Sequence, residues 1–154
     1  MRPARPGESA ELSALACAAK AWWGYAPEQL VRWAEELRIT SESIATQPTF
    51  VVEDNGRLVG VVQLGRASPT WALECLWVHP SALHRGVGSR LLRHALACAR
   101  HEGQAELLID ADPNAEAFYL RCGARRVGAI AAPIAGEPQR VRPQLIIGTD
   151  GAAA

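Results

Sequence analysis

Asn55-Gly56 stands between two β-branched runs in the stretch TFVVEDNGRLVGVVQLG, and this pair is the one best suited to a tight two-residue hairpin turn. An antiparallel strand pair is therefore expected in the first half of the chain. What surrounds it decides the fold class. Before the hairpin, Leu12, Leu15, Ala16 and Ala19 recur at helical spacing with Gly24 as an end signal. Pro27 then suits the first turn of a second helix in which Leu30, Ala34 and Leu37 share a face. After it, TWALECLWV reads as an apolar strand over Thr70–Val78, stopped by Pro80, which cannot continue a central ladder. Val87, Leu91, Leu92, Ala95, Leu96 and Ala99 make a helical stripe. AELLID reads as a buried strand, NAEAFYLRCG as a helix closed by Gly123, and RRVGAI and QLIIG as two last strands. With a short extended start at Arg2 to Arg5, the order describes a mixed α/β domain and not a regular βαβ series.

The chain has 154 residues, enough for one domain with a real core, here expected over 1–148 with 149–154 as a disordered tail. Sixteen basic residues balance 16 acidic ones at a pI of about 6.9, so no polyelectrolyte surface for nucleic acid is advertised. Lys20 is the only lysine. Cys17, Cys75, Cys98 and Cys122 lack CxxC spacing and paired histidines, which argues against a zinc site or a redox dithiol and for reduced thiols. Without an apolar leader or a run near the roughly 18 apolar residues of a membrane span, the chain is expected to be cytoplasmic, with no membrane partner. Self-association as a homodimer stays open.

Gly86 and Gly88, in LHRGVGSRLL, fall where strand gives way to helix. A dinucleotide fingerprint needs a third glycine where Leu91 stands, and a Walker loop needs Gly-Lys-Ser/Thr where the chain has Gly88-Ser89-Arg90. The unpaired N–H groups of a helix start can still face an anion, helped by Arg85 and Arg90, or the glycines can simply start the helix.

The stretch LWVHPSALHRGVGSRLL, with Pro80 six residues before Gly86, resembles the acyl-CoA loop of the GCN5-related N-acetyltransferases, which reads Gln/Arg-x-x-Gly-x-Gly/Ala between a strand and a helix. DPNAEAFYLRCGA is similar to that family's next helix, and the element order over about Arg2 to Gly148 is also the family's. The resemblance implies an α/β (α+β) fold: a mixed, mostly antiparallel sheet of six to seven strands flanked by about four helices. It implies an acetyltransferase moving acetyl from acetyl-CoA to a primary amine of a small molecule or polypeptide, directly in a ternary complex. A non-catalytic acyl-CoA-binding module is the alternative. By the same resemblance, amides of His84, Arg85, Gly86, Val87, Gly88 and Ser89, with Arg90, would hold the pyrophosphate. The main chain at Leu76, Trp77 and Val78 would pair with the pantetheine arm, with a main-chain N–H, taken as that of Val78, on the thioester carbonyl. Tyr119 matches the tyrosine that protonates the departing thiolate. Two positions depart from the pattern: Leu83 replaces Gln or Arg, and Asp112 stands where Asn is usual, with Asn114 two residues on. Either Asp112 or Asn114 is left to contact the pantetheine.

An amine with a pKa near ~10.4 must lose a proton before it attacks a thioester. Glu74 is the candidate base: it lies two residues from Leu76 and four from Val78, on their face if no bulge intervenes, and burial there would raise its pKa. His79 could assist. Tyr119 follows Phe118 on one helix; only one of the two can face the core, and the hydroxyl makes Tyr119 the expected outlier. The aromatics of KAWWGY (Trp22, Trp23, Tyr25) could wall the acceptor site, or pack against the sheet. Asp110 and Asp112 could attract a cationic amine or cap a helix, and Arg125, Arg126, Arg140 and Arg142 hint at a carboxylate-bearing acceptor. No cysteine has a setting that stabilises a thiolate.

Overall fold

The computed structural model describes residues 1–66 and 69–150. Strands β1 (Arg2–Pro3), β2 (Thr49–Asp54), β3 (Arg57–Gly65), β4 (Ala72–Val78), β5 (Glu106–Asp110), β6 (Arg125–Ala131) and β7 (Val141–Gly148) form one sheet in the order β1-β2-β3-β4-β5-β7-β6. All neighbours are antiparallel except β4 and β5, which are parallel. The helices are α1 (Ser9–Ala21), α2 (Pro27–Trp33), α3 (Ser41–Thr46), α4 (Val87–His101) and α5 (Glu116–Arg121). The fold class is the expected one, with five helices rather than four.

The hairpin turns at Asn55 and Gly56, with φ of 50° and 75°, the left-handed pair that matches the twist of β2 and β3. On one face of the sheet, Leu12 and Leu15 of α1 pack with Val51, Leu58 and Val61. On the other lies the larger core, into which α4 inserts the whole expected stripe from Val87 to Ala99. Each of Leu91, Leu92 and Leu96 is buried, worth about 2 kcal/mol apiece. Gly60 lets α4 come this close: a Cβ there would lie 2.8 Å from Val87 Cγ1 and 2.9 Å from Leu91 Cδ1. The first turn of α4 is thereby pinned to β3, at the end of β4 where its own chain arrives.

Several boundaries differ from the sequence reading, among them β7, which starts at Val141 and not Gln144, and α5, which spans Glu116–Arg121 within the longer expected helix. The second helix stops at Trp33, so Ala34 and Leu37 lie beyond it, Leu37 buried from a following turn. The six-residue α3 was not expected; Thr40 and Ser43 cap it reciprocally, Ser43 N donating to Thr40 Oγ1 at 3.0 Å. β4 starts at Ala72, not Thr70. Thr149, expected in the tail, is buried and donates to Gln104 O at 2.8 Å, whereas residues 151–154 of that tail lie outside the described residues. Among the described residues no helix is long and apolar enough to cross a membrane, and the cysteines are free.

Candidate active site

β4 and β5 pair only where β4 begins, Ala72 with Leu108 and Leu73 with Ile109, the later residues of β5. Beyond Leu73 the two parallel strands part, and the β5-side edge of β4 is left open. Which main-chain groups face this gap follows from the alternation of an antiparallel ladder. His79 N donates to Val59 O at 2.8 Å, so His79 and, in register, Trp77 turn their peptide groups toward β3. Leu76 and Val78 turn theirs into the gap.

At the gap's outer end, β4 passes through a short turn into α4. His84 and Gly86 both have left-handed φ, 58° and 76°, and the helical ladder begins only with Arg90 N donating to Gly86 O at 3.0 Å. None of the amides from His84 to Ser89 donates to a protein acceptor among the described residues. These donors converge at the positive end of a 15-residue helix, an arrangement suited to an anion. Side chains add little charge. Arg85 is turned away to Asp54 at 2.9 Å, Arg90 is exposed, and Leu83 brings no polar group. His79 is occupied locally: its Nδ1 accepts from Ser81 N at 3.2 Å and lies 2.8 Å from Ser81 Oγ, so it caps a turn rather than facing the gap as a proton acceptor. Phe118 lies over Gly88, 3.3 Å from where a Cβ would be, which ties α5 to the loop.

Tyr119 corrects the expectation that it leaves the core. It is buried, while Phe118 is the half-exposed partner, and its hydroxyl has no hydrogen-bond partner among the described residues. Burial pushes its pKa well above the ordinary phenol range, with smaller contributions from Cys75, Cys122 and Asp112, so the phenol keeps its proton. Burial likewise pushes the Cys75 thiol up to about 12.

Glu74 also differs from expectation, because a bulge does intervene. Cys75 pairs with Gln63 and Leu73 with Leu64, leaving Glu74 as the extra residue. Leu73, Leu76 and Val78 face the α4 core, whereas Glu74 is exposed on the α1 side, its carboxyl lying across Gly65.

On that same α1 side, five separated segments build a cluster that the sequence did not announce. Asp112 Oδ2 accepts from Lys20 Nζ at 2.5 Å and from Tyr25 OH at 2.8 Å, and Oδ1 from Asn114 N at 2.8 Å and Nδ2 at 2.9 Å. Arg140 donates to Tyr25 OH at 3.1 Å and to Ala132 O at 3.0 Å. Lys20 Nζ lies 4.4 Å from the Trp33 ring centre, and Tyr25 and Trp33 meet edge to face. Tyr25 is therefore part of this polar lock, its hydroxyl pushed up to about 12 chiefly by burial. Burial alone would raise the Asp112 carboxyl; the hydrogen bond and charge of Lys20 outweigh it and hold the carboxyl below its usual range. Both oxygens of Asp112 are engaged, and it caps the following turn. Of the remaining expected residues, Trp22 and Trp23 are exposed, Asp110 forms a two-pronged pair with Arg142, Arg126 pairs with Glu116, and Arg125 is exposed. The missed residues are Lys20, Trp33 and Arg140 as a unit; the one available signal was that Lys20 has no companion lysine.

The profile of the Acetyltransferase (GNAT) family matches residues 15–124. No curated protein matches the chain by sequence. Among solved structures, a GCN5-related N-acetyltransferase from Rhodopseudomonas palustris aligns at TM-score 0.77 and 25% identity, over 96% of this chain and 93% of that one. The PaiA N-acetyltransferase of Thermoplasma acidophilum, in complex with coenzyme A, aligns at 0.78 and 17% identity over 96% of both. An aminoglycoside 6'-N-acetyltransferase, also complexed with coenzyme A, aligns at 0.68 and 18% identity, over 94% of this chain and 92% of that one.

Proposed function

Because the chain belongs to the acetyltransferase (GNAT) family, we propose that it transfers an acetyl group from acetyl-CoA to a primary amine, directly and in a ternary complex. One observation carries this reading: the unpartnered amides from His84 to Ser89 continue into the open edge of β4 at Leu76 and Val78. A pyrophosphate fits the first and an extended amide-bearing arm the second, strand fashion. Acetyl-CoA supplies the acyl group as a thioester, already activated toward an amine. The loop amides hold and orient the donor, and the Val78 N–H points where it can polarise the carbonyl, an interaction strengthened where water is excluded. Tyr119, buried and held protonated, gives its proton to the departing sulfur. Cys75, held as the thiol, supports direct transfer over an acyl-enzyme. Glu74 lies on the acceptor side, open to water, and takes the amine's proton through solvent. Trp22 and Trp23 offer apolar surface to the acceptor.

The test is coenzyme A binding, read as a rise in Tm, together with thiol release from acetyl-CoA across a panel of amines and peptides. Both are expected. No rise in Tm overturns the assignment; binding without thiol release for any amine would make the chain a silent acyl-CoA-binding module.

A further inference from the structure

We infer that the site takes a carboxylate-bearing substrate, whose carboxylate is read by Lys20 and Arg140. The inference rests on the acetyl-transfer reading above and narrows its substrate class. Its basis is a charge imbalance in a buried place. The side chains of Lys20, Asp112 and Arg140 are 11%, 6% and 4% exposed. Both cations pair with Asp112, Lys20 at 2.5 Å and Arg140 at 3.6 Å, and no second carboxylate stands at ion-pair distance from either among the described residues. Asp112 is already saturated by Lys20, Tyr25 and Asn114. One positive charge is therefore left over, where leaving water is costly unless an anion compensates.

The leftover is also visible as unfilled donors. Arg140 Nε is buried and has no hydrogen-bond partner among the described residues. Among the described residues the Lys20 ammonium makes one hydrogen bond although it carries three N–H groups, and the faces of Trp33 and Tyr25 lie beside it. Ring faces offset part of the charge, but they leave the Arg140 Nε–H unbonded. On the same side of the sheet Arg142 is neutralised by Asp110, whereas the buried Lys20 and Arg140 share one carboxylate. That spot adjoins the gap: Asp112 lies two residues past the end of β5, the strand on the gap's other side, and its bond to Asn114 N begins the turn that leads into α5 and Tyr119. A carboxylate there would supply the missing acceptor atoms and the missing charge together. It can belong to the amine, as in an amino acid, or to the acyl group, as in a dicarboxylic acyl donor.

Thiol release measured with matched pairs separates these sources. In the acceptor arm, acetyl-CoA is offered amino acids and their carboxamides; in the acyl arm, succinyl-CoA is compared with acetyl-CoA on neutral amines. In one arm the carboxylate-bearing member is expected to win by ~tenfold or more in kcat/KM, the scale of a charge-assisted hydrogen bond. Lys20→Met and Arg140→Gln should collapse that preference toward unity through KM, and Arg140→Lys should restore part of it. All three should keep the Tm rise given by coenzyme A, which monitors fold and donor site. Independently of turnover, the carboxylate product of the winning arm, tried as N-acetylphenylalanine or as an N-succinyl amine, should raise the Tm of the wild type more than its carboxamide does. Equal handling of carboxylate and amide partners in both arms overturns the inference, as does a preference that survives in both Lys20→Met and Arg140→Gln. Should those variants not fold, the wild-type pairs decide by themselves. Failure of coenzyme A to bind sinks the acetyl-transfer reading instead, and is seen separately.

Discussion

The two sides of the β4–β5 gap are built from different material. On the α4 side the proposed working groups are main-chain N–H groups, those of Leu76 and Val78 and of His84 to Ser89, and the nearby cation Arg85 is turned away to Asp54. On the α1 side they are side chains, and long ones, drawn from α1, the α1–α2 turn, α2, the residues after β5 and the residue before β7. Backbone donors are fixed by the fold, so on the proposed reading they recognise what every donor molecule shares. Side chains can be exchanged singly, so the other side can be retuned for an acceptor without disturbing the first. The contrast divides constancy from choice.

The largest effect should come from removing the anion at the centre of the side-chain half. Asp112→Ala leaves Lys20 and Arg140 buried without a counter-charge, at a cost of about 3–5 kcal/mol in urea unfolding. A loss of a few tenths would mean that the cluster does not hold the wall. The same pair predicts a pH dependence. Because the folded carboxyl titrates below its unfolded value near ~3.9, its stabilisation is present above that value and fades as pH falls through the lower folded one. Tm followed from neutral to acid pH should drop more steeply in the wild type than in Asp112→Ala.

Tyr119→Phe comes next, since it deletes the proposed proton donor, which has no other bond to lose. Turnover should fall about a hundredfold, roughly 2.7 kcal/mol, while the Tm rise with coenzyme A persists. Full turnover would remove Tyr119 from the mechanism.

In the backbone half, Gly86→Ala forces a side chain into a conformation at φ 76°, which costs about 1–2 kcal/mol and shifts the amides that follow. Coenzyme A affinity should weaken although no side-chain contact is lost. Arg85→Gln should do least: its exposed pair with Asp54 is worth under about 1 kcal/mol, so affinity should stay within about fivefold. A larger loss would break the contrast, because the loop would then be reading phosphate with a side chain.

What was legible in the sequence was local. Asn55-Gly56 and the stripe from Val87 to Ala99 each contain their own instructions in turn chemistry and in period, and both formed as expected. The bulge at Glu74 was not legible, because it arises from how β3 and β4 come into register across the stretch joining Gly65 to Ala72, and nothing in TWALECLWV fixes that register. Tyr119 and Phe118 were ordered wrongly for a related reason. The ring of Tyr119 joins the core under α4, while Phe118 rests over Gly88 at the start of that helix, a choice set by packing between distant elements. The Lys20–Asp112–Arg140 lock depends on contacts spanning 92 residues between Lys20 and Asp112 alone, and no spacing rule connects such positions. For the same reason the sequence could suggest a carboxylate from four arginines but could not say which of them were already neutralised.

The solitary lysine has a practical side. A protein that handles activated acyl groups exposes no ε-amine of its own to them while the cluster is closed, since Lys20 is the chain's one such amine and is covered by Trp33, Tyr25 and Asp112. An amine-directed label should therefore mark the ε position slowly in the closed cluster and faster when α1 and the β5 end come apart, and its rate becomes a clock for that opening. Each molecule thus has a single-site reporter of local unfolding already installed, readable by mass without introducing a probe.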